Sequence, residues 1–389
     1  MTSLMTQLVH SGNQNSGVRP VNPPLERAST FLFDSVHDIE AAKKCRFEPG
    51  NIFYGRLGTR NGYAFEDGVS ELEGGSYSLS VPSGLAACTL PALAFATPGS
   101  RILVTDNIYD PARGSYSKFF ARIGVEVVYF DPRIGEGIAD LMTDNTTLVF
   151  LESPGSLTFE VQDIPAISTA AHARQALVCC DNTYATGYFH RPLELGADIV
   201  MQAATKYIVG HSDATLGVVT CKNIEAYREL KEAANWVGYS VAPDITWVAQ
   251  RGLRTLPVRL EQHQANGLAI AEWCQAQPEV ATVFHPGLAS HTDHLLWKRD
   301  FTGASGLFAI QLETRDKTQA VTFVEALELF GLGFSWGGYE SLALISDPRS
   351  CRTATSWEDD RIVVRLHAGL EQAADLTADL EQAITTAFR

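Results

Sequence analysis

An α/β fold is expected of this chain: a large domain built on a mainly parallel seven-stranded sheet, a smaller α+β C-terminal domain, and an extended N-terminal arm. Three observations lead there. Seven short apolar, β-branched runs recur between residues 76 and 221. Helical stretches lie between several of them. After Cys221 the pattern changes to a long helical region and then to sparser strands. Near-continuous apolar strands separated by helices indicate a parallel sheet covered on both faces.

The elements follow in order. Residues 1–57 are rich in Pro, Asn, Gly and Ser ("SGNQNSGVRPVNPPLERAST"). They carry too few periodic apolar residues to fold alone, so they read as an arm. Residues 58–250 make the large domain, with strands at "SYSLSV", "RILVTD", "VEVVYF", "TLVFLES", "ALVCCD", "DIVMQAAT" and "LGVVTC". Helices at "PARGSYSKFFARIG" and "IPAISTAAHARQ" are among the connections. A helical region from about 222 to 277 is broken at Pro243 and Pro257. Residues 251–389 make the small domain, with strands at "GLFAIQLE", "LALIS" and "RIVVRLHAG", a helix near 317–329 and a closing helix at 371–387.

Composition narrows the function. Of the 389 residues 45% are hydrophobic and 19% charged, which suits a sizeable core. The net charge of −15, with basic residues scattered, argues against nucleic acid or an anionic membrane surface as partner. The apolar runs fall short of the ~18–20 residues a membrane span needs. The start "MTSLMTQLVHSGNQNSG" has neither the basic opening nor the apolar core of a signal peptide. A cytoplasmic location is expected. The seven cysteines are odd in number and form no CxxC pair, which fits buried thiols in a reducing compartment. "HTDH" (His291, His294) lacks nearby cysteines, so no metal site is expected. His211, Ser212 and Asp213 are adjacent and cannot form a hydrolase relay.

The chemistry gathers around Lys206, which follows the apolar run "DIVMQAAT" and precedes a polar loop. A buried ammonium is costly, and strand ends followed by loops are where α/β proteins place chemistry. A snorkelling lysine is the plain alternative. Asp181 ends the strand "ALVCCD" in the same way, so the two would share a crevice, as an ion pair or as a site. In "VPSGLAACTL", Ser83 and Gly84 open a helix directly after a strand. Its free N–H groups and dipole would attract an anion, or Ser83 is an ordinary N-cap. "YGR" adds the Tyr54 hydroxyl and the Arg56 guanidinium, suited to a phosphate. One cofactor uses these features together, in the chain order helix start, Asp181, Lys206: pyridoxal 5′-phosphate. It needs a helix N-terminus for its phosphate, a carboxylate for its ring nitrogen and a lysine for its aldehyde.

The motifs "FYGRLGT", "VPSGLAA", "DNIYDP", "FLESPGS", "DNTYATG", "ATKYIVGHSDATLG", "RGLRTLPVRL", "SWGGYESL" and "RLHAGLE" run along nearly the whole chain. With them the sequence resembles the cystathionine β-lyase branch of the pyridoxal-phosphate (PLP) enzymes of cysteine and methionine metabolism, of the aspartate aminotransferase-like fold type I. The resemblance makes residues 58–250 a PLP-binding domain and implies the following roles. Lys206 carries the cofactor and moves protons, and Asp181 keeps the ring nitrogen protonated. Gly84 and Leu85 offer N–H groups to the phosphate, and Thr205 a hydroxyl. Tyr109 stacks on the ring and helps deprotonate the incoming amine. Arg365 clamps the substrate α-carboxylate, with Ser335 and Trp336 beside it. Tyr54 and Arg56 reach the phosphate of a neighbouring subunit, which implies a homotetramer whose active sites are shared across a dimer interface. The implied substrate is a small sulfur amino acid, L-cystathionine or a related cysteine S-conjugate, cleaved to a thiol such as homocysteine, pyruvate and ammonia.

The chain departs from the pattern at Ala203, where many relatives have serine, at Gly58–Asn61, and at Ala234, where some β-lyases place a tyrosine. Lys206 and Asp181 serve β- and γ-enzymes alike. Trp336 favours a β-lyase over a γ-lyase or γ-synthase, because many γ-enzymes carry an aliphatic residue there. A non-catalytic regulator of the same fold is opposed by the joint presence of Lys206, Asp181, Tyr109 and Arg365.

Overall fold

The computed structural model describes residues 2–12 and 17–389; Met1 and residues 13–16, within the expected arm, lie outside them. Among the described residues the seven expected strands form one sheet. They are β1 (Tyr77–Val81), β2 (Arg101–Thr105), β3 (Glu126–Phe130), β4 (Thr146–Glu152), β5 (Leu177–Asp181), β6 (Ile199–Gln202) and β7 (Gly217–Cys221). Their order is β1-β7-β6-β5-β4-β2-β3. Only β7 pairs antiparallel, with β1 and β6; the other neighbours are parallel. Successive side chains point to opposite faces. Ile102, Phe150 and Met201 pack beneath the helix Gly84–Phe95 on one face. Leu103, Val149 and Val178 pack against Ile164 and Ile167 of the helix Ile164–His172 on the other. Burial on both faces explains why these strands read as unbroken apolar runs.

The helical region divides where its prolines stand. Helices span Ile224–Trp236, Pro243–Leu253 and Leu256–Gln275, and Pro243 and Pro257 occupy first-turn positions, where no N–H is needed. A second, smaller sheet follows: β8 (Val280–Phe284), β9 (Leu307–Leu312), β10 (Gly331–Leu332), β11 (Leu342–Ser346) and β12 (Val363–His367), in the order β10-β11-β12-β9-β8. Sequence reasoning anticipated three of these. β8 and β10 escaped it because both are edge strands, one half-exposed and the other only two residues long. The helices Lys317–Glu325 and Ala373–Phe388 bury Phe323, Leu376 and Leu380 against this sheet.

The expectation of a wholly extended arm needs correction, since it contains the helices Leu4–His10 and Val36–Lys44. Each starts at a serine cap: Ser3 accepts the Thr6 N–H and Ser35 the Asp38 N–H. Leu8 is fully buried with Phe65 and Val69, so tertiary packing supplies what the local pattern lacks. The Trp247 indole also holds the arm, donating to Pro23 O at 2.9 Å.

Candidate active site

Lys206 stands in a turn just beyond β6. Its N–H donates to Ala203 O at 3.0 Å, and the Thr205 N–H donates to Leu216 O at 3.0 Å. Its Nζ donates to Ser335 Oγ at 2.5 Å and lies 5.2 Å from the centre of the Trp336 ring. Ser335 belongs to the connection between β10 and β11, where it and Gly337 take left-handed backbone angles (φ 83° and 86°). A Cβ on Gly337 would sit 3.0 Å from the Lys206 backbone, so this approach needs glycine. Burial pushes the Lys206 ammonium down to about 8; the Arg365 charge adds to the shift and Asp181 opposes it. Arg365, on β12, is pinned by one bond from Nη2 to Ser335 O at 3.1 Å. Ser335 therefore holds Lys206 through its hydroxyl and Arg365 through its carbonyl.

Asp181 closes β5 and stands in register with Glu152, which closes β4. Its Oδ1 accepts the Thr183 N–H at 2.9 Å and the Thr183 hydroxyl at 2.5 Å. Among the described residues its Oδ2 meets only the Cys88 thiol, at 3.9 Å. Glu152 Oε2 accepts the Tyr109 N–H at 2.6 Å, and Oε1 the Ser156 hydroxyl at 2.5 Å. Burial raises the pKa of both carboxyls. Sequence reasoning gave Glu152 no role. The signal was present, an acidic residue ending an apolar strand as Asp181 does. Tyr109 opens the short helix Asp110–Gly114 and is half-exposed at the rim.

The helix Gly84–Phe95 also begins here. Ser83 Oγ accepts the Ala86 N–H at 3.1 Å and Ser83 O the Ala87 N–H at 3.0 Å. That leaves the N–H groups of Gly84 and Leu85 without an acceptor among the described residues. A Cβ on Gly84 would come within 2.5 Å of the Ala203 Cβ, so Ala203 stands against this helix start. Thr205 Oγ1 donates to Leu216 O at 3.1 Å and accepts the Leu216 N–H at 2.9 Å. In this geometry its proton goes to the backbone, not to the cavity.

A cavity of about 540 Å³ joins these parts. It brings together Gly84, Leu85, Tyr109, Asp181, Thr205, Lys206, Ser335, Trp336 and Arg365, nine of the eleven expected residues. Tyr54 and Arg56 are not on its wall. Tyr54 is exposed, and Arg56 Nη2 donates to Asn235 Oδ1 at 2.8 Å beside the buried Ala234. Among the described residues no cluster of His, Cys, Asp and Glu could hold a metal ion, and no helix is long and apolar enough to cross a membrane.

Known proteins are similar to this chain along its length. Residues 5–385 match the family described as Cys/Met metabolism PLP-dependent enzyme. The chain is 41% identical over 385 residues to cystathionine β-lyase of Escherichia coli strain K12, with 97% of each chain covered. It is 40% identical over 389 residues to cystathionine β-lyase of Bordetella avium, covering 98% of this chain and 97% of that one. Among solved structures, cystathionine γ-synthase from Xanthomonas oryzae pv. oryzae superposes with a TM-score of 0.90 at 30% identity, covering 100% of this chain and 99% of that one. This chain belongs to the Cys/Met metabolism family of pyridoxal-phosphate-dependent enzymes.

Proposed function

We propose that the enzyme is a carbon–sulfur β-lyase that cleaves L-cystathionine, or a related cysteine S-conjugate, to a thiol such as homocysteine, pyruvate and ammonia. The observation that carries this reading is the Lys206 amine, held by Ser335, overlain by Trp336 and close to Arg365 in one cavity. Kinship with two cystathionine β-lyases at 40–41% identity supports it.

The residues fit the family's cofactor. Asp181 Oδ2 is a buried acceptor with only a thiol for a partner, the complement of a ring N–H. The helix start offers two free N–H groups beside a glycine whose Cβ has no room. The volume falls in the range of roughly 300–1,000 Å³ usual for small-molecule sites. Lys206 would hold the aldehyde end, Asp181 the ring nitrogen, Gly84 and Leu85 the phosphate, and Tyr109 the ring face. When bound, the cofactor supplies a sink for the electron pair left on the substrate's Cα.

The chain's own groups do the rest. Arg365 takes the α-carboxylate with its free donors, a two-pronged grip that fixes the amino-acid head. Lys206 Nζ removes the Cα proton, a task for a neutral amine, and burial favours that form. Tyr109 would take a proton from the incoming ammonium as its phenolate, a form that burial opposes and the Arg365 charge favours. Trp336 walls the space about Cβ, so that the C–S bond that breaks is held in one direction. Tyr54 and Arg56 lie off this cavity, and on the family resemblance we assign them to the site of a neighbouring subunit in a homotetramer. We place the enzyme in the cytoplasm and divide it into an arm (1–57), a cofactor domain (58–250) and a C-terminal domain (251–389).

The test is product identification. Purified protein given L-cystathionine should release pyruvate together with homocysteine. Release of 2-oxobutyrate with cysteine would replace this reading by a γ-lyase, the runner-up that the γ-synthase likeness keeps in view.

A further inference from the structure

β11 and β12 are antiparallel neighbours, and a hairpin of roughly two to five residues could join them. Residues 347–362 join them instead. Loops this long inside a compact fold are uncommon and usually functional. The detour leaves the second sheet and lies down on the first. There Asp106, just past β2 and fully buried, accepts the N–H groups of Thr353, Ala354 and Thr355 at 2.9, 3.0 and 2.7 Å, and the Thr355 hydroxyl at 2.8 Å. Arg113 Nη2 balances the charge from 3.0 Å. A second anchor stands next to it. Arg352 Nη2 meets Glu160 Oε1 at 2.6 Å, with the two side chains only 6% and 4% exposed. Glu160 also accepts the Thr158 hydroxyl at 2.6 Å and the Asn107 amide at 3.1 Å.

Two buried ion pairs thus hold one loop. Such pairs contribute little net stability compared with apolar packing of the same volume. What they fix is position. The part they fix walls the cavity through Pro348, Ser350 and Cys351, next to Ile345 at the end of β11. The Cys351 thiol lies 3.8 Å from the Asp110 carboxylate, one residue beyond Tyr109. Lys206 and Arg365 account for the amino-acid head of the substrate. The wall made by the loop is left to face whatever the sulfur carries.

We propose that this strap, residues 347–352, reads the part of the substrate beyond its sulfur, with Glu160 and Thr355 as positioning residues that set its place. The inference rests on the β-lyase reading and gives it a substrate class: cysteine S-conjugates with an extended arm, favoured over those with a short S-alkyl group. Neither Glu160 nor Thr355 lines the cavity.

The test compares two substrates in the full-length holoenzyme, L-cystathionine and S-methyl-L-cysteine, by pyruvate release. Glu160→Gln should lower kcat/KM for cystathionine by about tenfold, mainly through KM, and leave S-methylcysteine within about twofold. Because Glu160→Gln leaves a buried guanidinium unpaired and could unfold the chain, Thr355→Val serves as the second variant. It keeps the three backbone bonds to Asp106 and should shift the same ratio by about threefold. The absorbance of the bound cofactor should not change in either. A substrate ratio equal to wild type in both folded variants overturns the proposal, as does an equal loss for both substrates. A wild-type enzyme that releases pyruvate from neither substrate would overturn the β-lyase reading itself, a distinct result.

Discussion

Glu152 and Asp181, the last residues of neighbouring parallel strands, stand side by side in register and are both buried. Two carboxyls at strand spacing, about 4.8 Å, resist ionising together. Burial raises both, and for Glu152 the Asp181 charge raises it further. Each has its own donors, Thr183 for Asp181 and the Tyr109 N–H with Ser156 for Glu152. Glu152 therefore stands between Asp181, proposed to meet the ring nitrogen, and the backbone of Tyr109, proposed to cover the ring face.

Of the two, Asp181 ionises first, because Thr183 and Lys206 favour its charge; Glu152 is still neutral there, so Glu152→Gln should leave the Asp181 titration in place. The raised folded pKa of Asp181 means that its carboxylate is complete only above that value and is lost as pH falls through it. No like charge is removed at that pH, so the acid-side loss of the cofactor's absorbance should stay within about 0.3 pH unit of wild type. The glutamine carbonyl still accepts the Tyr109 N–H, so the fold should hold. A holoenzyme titration from pH 8 downward checks this; a midpoint that falls by about one pH unit would show Glu152 charged alongside Asp181.

Lys206 offers a second titration. In the cofactor-free protein its amine should become nucleophilic with a midpoint at about pH 8, not at the ~10.4 of a solvated lysine. The sign follows from the causes: burial and Arg365 disfavour the ammonium, while Asp181 favours it. Asp181→Asn should then lower the midpoint and Arg365→Leu should raise it. Rates of amine acylation mapped to Lys206 by peptide analysis give the curve, and opposite movements would refute the assigned causes.

Gly84 should tolerate no side chain. A methyl there would meet the Ala203 methyl at 2.5 Å, and both lie at the helix start proposed to hold the phosphate. Gly84→Ala should weaken cofactor affinity by about tenfold, ~1.4 kcal/mol, with little loss of secondary structure. Gly84→Ala with unchanged affinity, measured by equilibrium dialysis of the cofactor, would move the phosphate elsewhere.

Why some of this was legible in the sequence and some was not follows from the range of the interactions. The seven strands of the first sheet are buried on both faces, so each announces itself locally as an apolar run. Lys206 and Asp181 stand out because a charge ends such a run. The capped helix Leu4–His10 was missed since Leu8 owes its burial to Phe65 and Val69, far along the chain, and Val36–Lys44 because it buries no side chain and so shows no apolar face. The anchoring of residues 353–355 by Asp106 joins positions some 250 residues apart, through backbone N–H groups that leave no trace in residue type. Thr205 shows the converse: the family resemblance pointed its hydroxyl to the phosphate, while that hydroxyl donates to Leu216 O.

On the proposed reading Trp336 carries the choice between β- and γ-chemistry. Its ring packs on Tyr207, with centroids 5.5 Å apart and planes 55° apart, while its other neighbour is Lys206 Nζ at 5.2 Å from the ring centre. It is thus both a packed aromatic and part of the wall beside the amine. β-Elimination needs one proton removed at Cα and the Cβ–S bond held in a single direction. γ-Elimination needs a second proton removed at Cβ and a chain placed differently, hence a different space beside the lysine. An indole fixed by Tyr207 narrows that space, and positioning of this kind can carry several kcal/mol of a barrier. Leucine at this site should keep the fold, with a thermal midpoint about 2–4 °C lower for the lost aromatic contact. It should lower the rate of pyruvate release from L-cystathionine by about tenfold and raise the share of 2-oxobutyrate, because the wall no longer selects one bond. Quantifying both keto acids for wild type and Trp336→Leu decides the matter. If the variant kept the wild-type rate and product ratio, Trp336 would be a packing residue only, and the selectivity for the β-bond would have to come from elsewhere in the cavity.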